Sequence, residues 1–134
     1  MPVHSRQALG RQDADIAGPA IRTFFRIADA WSLSVEEQLV LLGAPSRSTL
    51  FAWKKRGAER LPRDVLERLS YVFGIWKALQ ILLPDAESAD GWIRRPNAAA
   101  PFGGGSALER MLSGNVSDLY EVRRYLDAER GGWP

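Results

Sequence analysis

From Ile21 to Leu126 the apolar residues of this chain recur at three- and four-residue spacing, and they never alternate with polar residues over a useful length. Side chains three and four apart share one face of a helix, whereas a half-buried strand needs a period of two. No Asn-Gly or Asp-Gly pair sits between two strand-like runs, so hairpins are not signalled either. The fold class expected is all-α.

The punctuation divides the helices. Pro19 suits a first helical turn, and Ile21, Phe24, Phe25, Ala28 and Trp31 follow, predicting a helix over about 19–31. In "SVEE" the Ser34 hydroxyl and the Glu37 carboxylate form a capping box. It opens a helix on Val35, Leu39 and Leu42 that stops at Gly43. After "GAP", Ser46 starts a helix with Leu50 and Trp53 inward, ending near Gly57. Pro62 opens a long apolar helix to about Leu83, with a possible break at Gly74. The stretch "PDAESADGWIRRPNAAAPFGGGS" shifts composition and marks a boundary, with a short helix around Trp92. A second box at Ser106 opens a helix closed by Gly114, and the last helix spans roughly 116–129 on Val116, Leu119, Val122 and Leu126. The organisation expected is an arm over 1–18, a helix-turn-helix and dimerisation region over 19–84, and a third region over 85–134.

Composition narrows the function. The 134 residues are 46% apolar and 25% charged, which is ordinary for a globular protein. No run reaches the roughly 18 apolar residues of a membrane span, and the polar N-terminal stretch carries no secretory signal, so the cytoplasm is expected. Cysteine is absent and His4 is the single histidine, which removes thiolate sites, histidine-based metal sites and nucleophile–base pairs. "FGGG" lacks the following Lys-Ser/Thr and the preceding strand of a phosphate loop. No cofactor, metal or enzymatic activity is expected.

Charge is concentrated rather than large. The net charge is +2, yet residues 44–63 hold Arg47, Lys54, Lys55, Arg56, Arg60 and Arg63 against Glu59 alone. Such a cluster is either a solvated helix face or the footprint of a phosphate-binding surface. It falls in "SVEEQLVLLGAPSRSTLFAWKKRG", which has helix-turn-helix form. In that motif the N-terminal residues of the second helix reach base edges. Ser46, Arg47 and Ser48 occupy this end, while Lys54, Lys55 and Arg60 would meet phosphates. The plainer alternative is a helical hairpin in a bundle.

The C-terminal region is rich in aromatics: Trp92, Phe102, Tyr120, Tyr125 and Trp133. A small helical unit needs large side chains for its core, and Trp92 and Phe102 fit that role. Trp133 sits beyond Gly131 and Gly132, which read as a hinge. It is either an aromatic anchor for a partner or a ring folded back on Tyr125 and Leu126.

Taken together, "LVLLGAPSRSTLFAWKKRG", "GWIRRPN", "FGGGSALERMLSG" and "DLYEVRRYLDAERGGW" resemble the MbcA/ParS/Xre antitoxins, the partners of RES-domain toxins, over about residues 20–134. One departure is Ala107, where many relatives carry proline. The resemblance implies an Xre-like helix-turn-helix region followed by a small helical toxin-binding region. It implies the antitoxin of a type II pair, which inhibits an NAD-consuming or ADP-ribosylating toxin by occluding its cleft with the C-terminus and represses its own operon. Toxin contacts would then come from Trp92, Asn97, Phe102, Arg124, Arg130, Trp133 and Pro134. A terminal carboxylate can pair with a phosphate-binding arginine, and an indole can fill an aromatic slot. The partners implied are the toxin and operator DNA, with a homodimer inside a larger complex. A homodimer would also bury the apolar excess of "LSYVFGIWKALQILL". The competing reading is a stand-alone helix-turn-helix regulator, though 85–134 is short for enclosing a ligand.

Overall fold

Seven α-helices carry the chain in a computed structural model that describes the backbone of residues 3–132 and the side chains of 15–131. They are α1 Val3–Ala30, α2 Val35–Leu41, α3 Arg47–Arg56, α4 Arg63–Leu82, α5 Ala86–Gly91, α6 Ala107–Met111 and α7 Val116–Gly132, with a 3-10 turn over Trp92–Arg94 after α5. Among the described residues there is no strand, only an isolated bridge between Pro96 and Ser106. None of these helices is long and apolar enough to cross a membrane.

α4 is the central element. Its Val65, Leu69, Val72, Ile75, Ala78 and Leu79 are buried, and it packs chiefly on α7 and α1. α7 supplies Leu119, Val122 and Leu126 to that interface, and α1 with the turn after it supplies Ile21, Phe24, Ala28 and Trp31. Trp31 lies against Trp76 of α4, ring centroids 6.0 Å apart. Leu66, Tyr71, Phe73, Trp76 and Leu82 are half-buried against the same core. The chain thus absorbs most of the apolar surface that had suggested a dimer, leaving Ile81 exposed on this helix.

Three expectations change. The helix expected from about residue 19 begins at Val3, so the stretch read as an arm is helical from there, with Pro19 inside α1. A proline removes one backbone donor from a helix, but Ala17 upstream and Ile21 downstream are both buried, and their packing carries the helix across it. Second, α4 does not break at Gly74. A Cβ there would lie 2.4 Å from Arg123 Nε of α7, so the glycine marks a close helix crossing. Third, α7 continues through Gly131 and Gly132, which are its last residues and not a hinge. Glycine lowers helix propensity by about 1 kcal/mol without forbidding the conformation.

Local capping fixes the short helices. Ser34 accepts from Glu37 N–H (3.1 Å) and its own N–H donates to Glu37 Oε1 (2.9 Å), closing the box. Ser106 accepts from Glu109 N–H (3.1 Å), which starts α6 at Ala107. Ser46 accepts from Thr49 N–H (3.1 Å) and donates to Thr49 Oγ1 (2.8 Å). Ser46→Ala is therefore expected to cost about 1 kcal/mol, read as a lower urea midpoint at unchanged slope.

Candidate functional site

The helix-turn-helix is built on a left-handed turn. Gly43 (φ 85°) and Ala44 (φ 63°) follow α2. Gly43 N–H donates to Val40 O (3.1 Å) and Ala44 N–H to Leu39 O (2.8 Å), satisfying carbonyls the helix end would leave open. A Cβ on Gly43 would lie 2.6 Å from Asp64 Oδ2 and 2.9 Å from Arg68 Nε, so α4 closes over the turn. Leu50 is fully buried and Trp53 half-buried, which pins α3 by its inner face. Ser48, Phe51 and Lys55 are exposed along its outer face, at the spacing of successive helical turns.

The residues expected to meet DNA divide by what they already do. The Ser46 hydroxyl is engaged in capping. Arg47 pairs with Glu36 of α2, and both side chains are exposed, so the pair is weak and open to exchange. Ser48, Lys54 and Lys55 are exposed on α3, and Arg60 is exposed on the connection to α4. The ammonium of Lys54 lies 6.0 Å over the Phe25 ring of α1. Sequence reading missed Arg22 and Arg26 of α1, which line an open groove of about 600 Å³ with Phe25, Trp53, Lys54, Lys55, Arg56 and Gly57. Their four-residue spacing on the polar face of α1 was the available signal.

In the C-terminal region Trp92 stacks on Tyr125 (6.3 Å, 18° between planes), and Phe102 meets both edge-on, at 5.9 Å from Trp92 and 5.1 Å from Tyr125. Three segments, the 3-10 turn, the glycine-rich loop and α7, are thereby knotted together. Tyr125 had been assigned no role at this joint. Asn97 organises the loop: its Oδ1 accepts from Ala99 N–H (2.9 Å), its N–H donates to Gly105 O (2.9 Å) and its carbonyl accepts from Gly104 N–H (2.8 Å). Arg124 is exposed and lines a separate surface cavity with Tyr71, Tyr120, Arg123 and Asp127. Arg130 pairs with Asp127 (3.8 Å) on the last turns of α7. Trp133 and Pro134 lie outside the described residues. The structure therefore gathers Trp92, Phe102 and Asn97 around one loop and places Arg124 and Arg130 elsewhere on α7.

Arg94 joins the two regions, and nothing local in the sequence identified it. Its guanidinium donates to Trp31 O from Nε (3.2 Å) and Nη2 (3.0 Å), to Ser32 O (2.8 Å) and to Glu37 Oε1 (3.3 Å). Burial on its own pushes the Glu37 carboxyl up. The Ser34 N–H, the Arg94 guanidinium and the Ser34 hydroxyl outweigh it and leave Glu37 below the usual carboxylate range. Among the described residues no cluster of carboxylates or histidines could hold a metal ion.

Two family models match the chain in series. An antitoxin Xre-like helix-turn-helix domain matches residues 10–74, and an antitoxin Xre/MbcA/ParS C-terminal toxin-binding domain matches residues 78–132. The uncharacterized protein y4oB of Sinorhizobium fredii is 58% identical over 112 residues, covering 84% of each chain. The first match encloses the α2–α3 turn, and the second encloses the aromatic knot and α7. With its helix-turn-helix unit followed by a helical toxin-binding unit, the chain belongs to the Xre/MbcA/ParS antitoxin family.

Proposed function

We propose that this protein is the antitoxin of a type II toxin–antitoxin pair, binding and inhibiting a RES-domain toxin that consumes NAD or transfers ADP-ribose. In this reading the protein has no catalytic activity of its own. The observation that carries it is the toxin-binding match over residues 78–132, which falls on a unit whose aromatic knot holds the glycine-rich loop against α7. The C-terminal end of α7 blocks the toxin's NAD cleft. Arg130 and Trp133 supply a cation and an indole to a pocket shaped for phosphates and flat rings. Continuation of α7 through Gly132 supports delivery of this segment on a rigid helix rather than on a flexible stem. The helix-turn-helix unit, paired in a two-fold dimer, represses the protein's own operon.

Deleting residues 130–134 tests the cleft reading. The truncated protein should fail to suppress NAD consumption by the toxin while keeping its circular dichroism and its duplex-DNA binding. Full inhibition by the truncated protein would overturn it.

A further inference from the structure

We propose that the groove between α1 and the C-terminal half of α3 is a binding site for the phosphate backbone of duplex DNA, with Arg22 and Arg26 as its principal contacts. The inference rests on the DNA-binding reading above and adds a second element to it. Arg22 and Arg26 from α1 face Lys54, Lys55 and Arg56 from α3 across an open groove of about 600 Å³. Among the described residues, none of these five cations is engaged in an ion pair and no carboxylate lines the groove. Five like charges around one depression repel each other, and a polyanion relieves that repulsion.

The groove favours a phosphate backbone over a stacked nucleobase. Lys54 already sits over the Phe25 ring face, and Trp53 is held half-buried in the α3 packing. Arg22 and Arg26 are one turn apart, about 6 Å along the helix, so they can meet successive phosphates of one strand. The opposite end of α3 cannot supply this neutralisation alone, because Arg47 is its single cation. Lys54 and Lys55 belong both to the groove and to the exposed side of α3, so a strand lying in the groove runs beside the helix that reads the bases.

The test is equilibrium binding of the full chain to a labelled random-sequence duplex of about 30 base pairs, between about 50 and about 300 mM NaCl. Each phosphate contact contributes about 0.9 to the slope of log K against log salt. Arg22→Gln with Arg26→Gln should lower the slope by about 2 and weaken binding at the lowest salt at least about tenfold. Arg22→Lys with Arg26→Lys should retain most of the slope. Both side chains are exposed, so the variants should fold, and urea midpoints check this. If the Gln variant matches the parent while Arg47→Ala with Lys54→Ala weakens binding, the α1 contact is wrong and the DNA reading stands. If the parent itself does not bind the duplex, both fall.

Discussion

Gly43→Val is expected to destabilise this protein by about 4 kcal/mol, the largest effect of any single substitution in the helix-turn-helix turn. Two costs combine. A β-branched residue at φ 85° is strained by about 1–3 kcal/mol. The new Cβ also enters space already taken by Asp64 Oδ2 and Arg68 Nε. Those two groups pair with each other at 3.0 Å, and Arg68 Nη2 donates to Gly114 O (3.0 Å) in the turn before α7. Displacing them loosens the contact between the α2–α3 turn and the C-terminal region. Gly103 supplies the control. Its φ is also positive (60°), but a Cβ there meets nothing within 4 Å. Gly43→Ala should therefore cost about 1 kcal/mol more than Gly103→Ala, the difference isolating the steric part. Equal losses in urea midpoint would mean that Asp64 and Arg68 move aside freely.

What could be read in the sequence was local. Ser34, Ser46 and Ser106 cap helices because a hydroxyl and a backbone N–H three residues on need nothing else. Gly43 and Gly57 end α2 and α3 for a similarly local reason, their positive φ. Proline and glycine misled where packing or helix propagation overrode them. Pro19 read as a start and lies inside α1, and Gly131 with Gly132 read as a hinge and complete α7. Gly74 read as a possible break and is a crossing point for Arg123. Which distant segments meet left no sequence mark. The cations of α1 meet those of α3 only when the two helices pack, and Arg94 reaches carbonyls 62 and 63 residues away. Tyr125 looked like one more core aromatic, because the loop it holds is positioned only by the fold.

Arg94→Met should cost about 2–3 kcal/mol and alter the acid stability of the protein. The substitution keeps most of the apolar stem and removes the bonds to Trp31 O, Ser32 O and Glu37 Oε1. Hydrogen bonds from a charged donor are worth about 1.5–3 kcal/mol each in favourable settings, and the half-exposed guanidinium holds the total toward the lower end. The Ser32 carbonyl belongs to a residue at φ 55°, so the end of α1 loses a partner where its backbone is already strained. Arg94→Lys should recover little, because a single ammonium cannot span two carbonyls and a carboxylate as a planar fork does. Glu37 gives the second readout. Its carboxyl titrates below its unfolded value of about 4.3, so it contributes stability that is present above that pH and is lost as pH falls through the folded value. Without Arg94 the desolvation that raises Glu37 meets less opposition, and that contribution shrinks. The parent's urea midpoint should then fall more steeply than the variant's between about pH 5 and about pH 3, the other carboxylates acting equally on both. Parallel curves would show that Arg94 works through the two carbonyls alone and that the Glu37 contact is incidental. A steeper parent curve would make Arg94 the link through which the capping box of the helix-turn-helix unit is held by the toxin-binding unit.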